Sequence, residues 1–277
     1  MLNNQLLVHI ETSSYCNAKC SMCPHSIMPR KNRSMDDKTF YKIVSQLKDL
    51  PVNNVMLSLM GEPLLDPQII ERISKVTSLG YRTRITTNAS MLTKKMSEEL
   101  LLSGLSEIYV SFNGGDSLAH NKMMNFSKPL YEECKQNLTE LAALNKGRMQ
   151  MHLNCLVDDD QPVNILEFRN YWQSQGYLVD VSRPVAWHKA QNNNGIDINY
   201  PCQLLFSQIF IDCDGNVIAC CRDYKSSIKF GNINHENLYN IWHGEKISKF
   251  RKSHLKGDAG NFDICNACEL AKKFNFF

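Results

Sequence analysis

Nothing in this sequence approaches the roughly 18 consecutive apolar residues needed to cross a membrane, so any membrane role would be peripheral. Basic residues form no long run, and a net charge of +3 leaves no electrostatic footprint for nucleic acid. Met1 to Val8 holds neither a basic segment nor the apolar stretch of a secretion signal. The eleven cysteines are therefore expected to be thiols in a reducing cytoplasm rather than a disulfide framework. No leader-peptide-binding domain is evident before Cys16. What is present is ordinary: 277 residues, 43% of them hydrophobic, suffice for one barrel-sized domain and a small appendage.

Three of the cysteines are not ordinary. Cys16, Cys20 and Cys23 follow one another at offsets of four and three, a spacing that core packing rarely produces. Three thiolates are one too few for a closed zinc site and one too few for a cubane ligated only by cysteine. If they hold a four-iron four-sulfur cluster, one iron stays open to a small chelating molecule. Incidental thiols, or half of a zinc site completed from elsewhere, are the plainer readings.

Around this loop the chain alternates between strand and helix patterns. Strands are expected at Leu7–Thr12, Val55–Met60, Tyr81–Thr86, Glu107–Phe112, Met149–Val157 and Tyr177–Ser182. Helices are expected between them: one after a Ser34/Asp37 capping box, one opened by Asp66-Pro67, one capped by Thr93, then Tyr131–Leu144 and Ile165–Ser174. Such alternation predicts an α/β fold of parallel strands with helices outside, and ligands at the carboxyl ends of the strands. Strand parity places Gln150, His152 and Asn154 toward the barrel interior and Met151, Leu153 and Cys155 toward the helices. Cys134 lies on an apolar helical stripe, so it and Cys155 read as small buried hydrophobes rather than hydrogen-atom donors.

From Trp187 to Pro201 the composition turns Asn-rich, which sets an expected boundary between domains at 1–186 and 187–277. A hairpin about Asp214-Gly215 follows, with Cys213 as a spare thiol beside it. Cys202, Cys220, Cys265 and Cys268 then supply four thiolates, with Cys221 as the alternative to Cys220. Four thiolates suit structural zinc or a fully ligated iron-sulfur cluster, and the spacing by itself does not separate the two.

The loop Cys16-x-x-x-Cys20-x-x-Cys23, with Tyr15 before it and Pro24 after it, resembles the signature of the radical S-adenosylmethionine superfamily. The resemblance implies an incomplete barrel of six strand-helix units and a cluster whose open iron binds S-adenosylmethionine. It further implies reductive cleavage of that cofactor to a 5'-deoxyadenosyl radical that removes a hydrogen atom from substrate. Met60-Gly61-Glu62-Pro63 is similar to the family's Gly-Gly-Glu motif, with methionine for the first glycine, and Glu62 would accept from the methionyl ammonium. Thr87, Asn88, Ser111, Asn113 and Asn154 fall where family members bind the ribose and the methionyl carboxylate.

The C-terminal cysteines resemble the SPASM module in its shortened twitch form, a small α+β unit holding one auxiliary four-iron cluster. By the same resemblance Arg183 handles a substrate proton, although parity groups it with Val179 and Val181 unless the strand ends before it. The implied activity is oxidation of a sugar or cyclitol alcohol with the auxiliary cluster as electron acceptor. Peptide modification and a zinc-stabilised binding module are the alternatives. Arg30, Lys31 and Arg33 read either as a solvated loop or as a docking patch for an acidic reductant such as a flavodoxin or a ferredoxin-like protein.

Overall fold

The chain folds around one nine-stranded sheet, seen in a computed structural model that describes residues 5–157, 164–184, 201–266 and 268. Six parallel strands stand side by side in chain order: β1 (Leu6–Ile10), β2 (Val52–Met56), β3 (Arg82–Thr87), β4 (Glu107–Ser111), β5 (Gln150–Leu156) and β6 (Leu178–Ser182). Helices α1 (Asp37–Gln46), α2 (Ile69–Ser78), α3 (Lys94–Leu102), α4 (Ser117–Met124), α5 (Lys128–Asn145) and α6 (Ile165–Ser174) lie in the links between them. A parallel pair needs such a crossover, so the alternation of the sequence becomes the topology of the sheet.

Strand alternation sorts the side chains as expected. In β5, Met151, Leu153 and Cys155 are buried under helices, whereas His152, Asn154 and Leu156 are half-buried on the opposite face. Cys134 and Cys155 are both enclosed in the core. Phe112 anchors that core, its ring 5.1 Å from Tyr131 and 5.6 Å from Trp172.

Several expected boundaries move. The N-cap of α1 is Asp36, whose carboxylate accepts from the amide and hydroxyl of Thr39. Ser34 is held instead in a bridge to Ser13, so it does not cap the helix. β2 ends at Met56 rather than Met60, although the Leu57 amide still donates to Arg84 O at 2.8 Å before the chain turns away. β6 ends at Ser182, so Arg183 lies beyond the strand and the facing expected from parity does not apply to it. Helix α4, not foreseen, is capped by Asp116.

The expected boundary at residue 187 lies outside the described residues. On its far side come α7 (Leu204–Ser207), β7 (Gln208–Ile211), β8 (Asn216–Ile218), β9 (Lys229–Asn232), α8 (Leu238–His243), α9 (Glu245–Leu255) and α10 (Asp263–Asn266). β7 pairs in parallel with β1, from Leu7 opposite Gln208 to Ile10 opposite Ile211, and the β7–β8 hairpin continues the sheet. The sheet runs β6-β5-β4-β3-β2-β1-β7-β8-β9 and is not closed.

Candidate active site

The three-cysteine loop joins β1 to α1, and its stem is closed by hydrogen bonds between entry and exit. Ser14 N donates to Arg33 O at 2.9 Å, and Met35 N donates to Thr12 O at 2.8 Å. Its far side is tied to the turn after β2 and to helix α4: Glu62 N donates to Tyr15 O at 2.7 Å and Ser21 N to Met123 O at 2.8 Å. The Asn88 amide group donates to Asn17 Oδ1 at 2.9 Å and stands 4.0 Å from Cys16 Sγ.

The three thiols are half-buried and lie within one another's field. Burial pushes Cys16 up to about 11, with the charges of Glu62 and Cys23 adding to it. Burial likewise takes Cys20 to about 12, with Cys23 and Cys16 adding. Thiols so placed become thiolates when a bound cationic group compensates their charge, which is the chemistry of a metal-cluster donor set.

Gly61 is fixed by the loop itself. A Cβ there would stand 2.2 Å from Ser13 O and 2.7 Å from Tyr15 O, so no other residue fits without moving the entry to the cysteines. Glu62, beside it, is fully enclosed and accepts from Thr87 Oγ1 at 2.8 Å, Leu64 N at 3.1 Å and Asn88 N at 2.7 Å. Burial pushes its carboxyl up to about 7 against these donors. A carboxylate offers about four acceptor positions, which leaves room for an incoming donor.

Glu11 and Arg30 form a second centre that sequence reasoning did not assemble. Glu11 directly follows β1 and accepts from both terminal nitrogens of Arg30, at 2.5 and 2.7 Å, the Met60 amide at 3.2 Å and the Cys213 amide at 3.1 Å. Arg30 also donates Nε to Tyr224 O at 3.1 Å. It is therefore a buried tie between the cysteine loop and the C-terminal module, not part of an exposed docking patch. Arg33 pairs with Asp214 at 2.6 Å on the surface, and Lys31 is exposed. Cys213 is buried, and its thiol donates to Glu11 O at 3.1 Å. An acidic residue closing a strand into a loop rich in arginine was the available signal.

Of the other expected site residues, Ser111 and Asn154 are register partners on the lumen face of β4 and β5, half-buried, and their side chains have no hydrogen-bond partner among the described residues. Below them Tyr109 stacks on His152 at 4.2 Å, and Glu107 gathers Arg82, Arg84 and Tyr109 into a floor. Asn113 is buried, and its side-chain Oδ1 accepts from Leu156 N at 3.0 Å, which prolongs the β4–β5 ladder. Thr87 and Asn88 serve Glu62 and the cysteine loop. Arg183 is exposed just past β6.

The second cysteine set also converges. Burial raises Cys202, Cys220 and Cys265, the last to about 12, and charge on Cys268 bears on Cys202 and Cys265. Cys220 feels Cys265 and Cys202, whereas Cys221 feels Cys268 and Cys202, so both adjacent thiols face the set. Among the described residues, no three His, Cys, Asp or Glu side chains are arranged to hold a single metal ion. The all-thiol donors of both sets suit an iron-sulfur cluster.

The family model for the Radical SAM superfamily matches residues 10–168, and that for the SPASM iron-sulfur cluster-binding domain matches residues 202–269. The chain belongs to the Radical SAM superfamily. It is an enzyme with a four-iron four-sulfur cluster and S-adenosylmethionine as cofactors, and its SPASM domain implies additional iron-sulfur clusters. Among individual proteins, it is 27% identical over 266 residues to the S-adenosyl-L-methionine-dependent 2-deoxy-scyllo-inosamine dehydrogenase of Niallia circulans, covering 95% of this chain and 92% of that one. The crystal structure of BtrN with AdoMet and 2-DOIA shares the fold with a TM-score of 0.67 at 22% identity, over 96% and 93% of the two chains. SuiB of Streptococcus suis bound to precursor peptide SuiA does so with a TM-score of 0.67 at 18% identity, over 89% of this chain and 66% of that one. No helix among the described residues is long and apolar enough to cross a membrane.

Proposed function

We propose that the chain removes two electrons from an alcohol carbon of a sugar or cyclitol, leaving a ketone. The observation that carries this reading is the second cysteine set, joined through β7 to the strand that delivers the first. When bound, the cofactors supply a 5'-deoxyadenosyl radical to take the hydrogen atom and an acceptor for the remaining electron. Cys16, Cys20 and Cys23 would hold the first cluster, and Cys202, Cys220, Cys265 and Cys268 the auxiliary one.

The chain's own groups divide the other tasks. Glu62 receives the methionyl ammonium, while Gly61, Thr87 and Asn88 fix the loop around it. Ser111 and Asn154, with polar side chains directed at the lumen, hydrogen-bond an uncharged polyol or the cofactor's ribose. Asn113 holds the rim of β4 and β5, and Arg183 donates a hydrogen bond to the substrate oxygen while the hydroxyl proton leaves to water. The hydrogen atom, proton and electron together account for the oxidation. A flavodoxin or a ferredoxin-like protein supplies the initiating electron.

Deuterium placed at the attacked carbon should appear in 5'-deoxyadenosine, and its absence with every polyol tested would overturn this reading. The fold shared with SuiB bound to its precursor peptide supports a second reading, modification of a peptide. Turnover of a precursor peptide with no polyol oxidation would favour it.

A further inference from the structure

His254 lies near the end of α9 with its ring against Phe250 and Phe262, at centroid separations of 5.0 and 6.5 Å, and only 3% of the residue is exposed. Its Nε2 is 3.5 Å from Sγ of Cys265, and its Nδ1 has no hydrogen-bond partner among the described residues. An imidazole enclosed by aromatic rings is unfavourable relative to an aliphatic side chain unless its polar edge is used. Here that edge faces a sulfur of the second cysteine set.

We propose that His254 is a positioning residue for the auxiliary cluster, donating Nε2–H to the thiolate of Cys265 and thereby making the cluster a better electron acceptor. This rests on the reading above that the second cysteine set holds such a cluster. A ligating thiolate has lost its proton and can only accept, so Nε2 must be the protonated nitrogen of a neutral ring. Nδ1 is then a bare lone pair, which agrees with its lack of a donor. A hydrogen bond to sulfur favours the state carrying the extra electron and raises the potential. The carboxylate of Asp223, whose charge also bears on Cys265, acts in the opposite direction. Backbone amides of Leu204 and Arg222 reach Cys202 and Cys220, and His254 is the side-chain counterpart at Cys265.

The test uses the full chain with Cys16, Cys20 and Cys23 replaced by Ala, so that only the second set is loaded. Iron and sulfide are counted first, and the potential is then followed by EPR for His254, His254→Phe and His254→Gln. About four irons per chain are expected with His254. His254→Phe should be about tenfold harder to reduce, which is about 59 mV more negative for one electron. His254→Gln, which keeps a donor, should recover part of that shift. In protein labelled with nitrogen-15 in its histidine rings, the reduced cluster should show one ring-nitrogen coupling. An unchanged potential in a loaded His254→Phe chain overturns the proposal. If that variant fails to load, the labelled His254 chain decides, and absence of the coupling overturns it. Absence of iron and sulfide from the His254 chain itself would instead remove the auxiliary-cluster reading, and the proposal with it.

Discussion

Glu11 shows how much of the site rests on a single carboxylate. Its four hydrogen bonds draw together the cysteine loop through Arg30, the Gly-Glu turn through Met60 and the hairpin through Cys213. Glu11→Ala would leave the Arg30 guanidinium enclosed without its counter-charge, a loss of about 3 to 5 kcal/mol. Urea unfolding of the cluster-free chain under reducing conditions measures this, and a loss below about 1 kcal/mol, as at a surface pair, would refute it. His9 sets a dependence on pH. Burial lowers its ring from 6.5 to about 4, against the hydrogen bond to Gln208. Between those values the unfolded chain binds the proton that the folded chain refuses, so this contribution is full above about 6.5 and is lost as pH falls toward 4. The unfolding midpoint should drop less between pH 7 and pH 4.5 in His9→Asn than in the parent chain; equal drops would exclude His9 as a source.

At the scale of elements, Asp212 organises the turn that leads from β7 into β8. Its carboxylate accepts from the amides of Asp214 and Asn216, the side chain of Asn216 and the hydroxyl of Ser226. Asp212→Ala would orphan these donors and cost the hairpin about 1 to 3 kcal/mol. Hydrogen exchange at Val217 and Ile218 should quicken accordingly, and unchanged protection there would show that the turn holds without the carboxylate. Elements with local signals were legible in sequence: Thr93 caps α3 and α6 spans Ile165–Ser174 as expected. Misplaced ones were decided by partners distant in the chain. Ser34 looks like a cap until Ser13 is found opposite it, and Arg30 looks like surface charge until Glu11 is. The cysteine sets were legible because thiols at metal-ligand spacing have few other uses. The donors around Glu62 were visible only as polar strand ends.

For the whole molecule, the parallel pairing of β1 with β7 is the feature no local pattern announces, since two short apolar strands carry no mark of their neighbour. A chain ending at Pro184 would lack β7 and leave β1 as an unpaired edge, with His9 losing its stacking partner Phe210, 4.4 Å away. Such a fragment should self-associate rather than give a folded monomer; a monodisperse, cooperatively unfolding fragment on size-exclusion chromatography would contradict this. The same pairing bears on descent. One backbone ladder registers the strand that introduces the first three cysteines against the strand that opens the hairpin beside the other set. The ladder is made by backbone groups, so its hydrogen bonds do not depend on which side chains the two strands carry. Relatives that differ at most positions can thus keep the two cysteine sets in register, because a slip of β1 would carry its loop out of step with both neighbours at once.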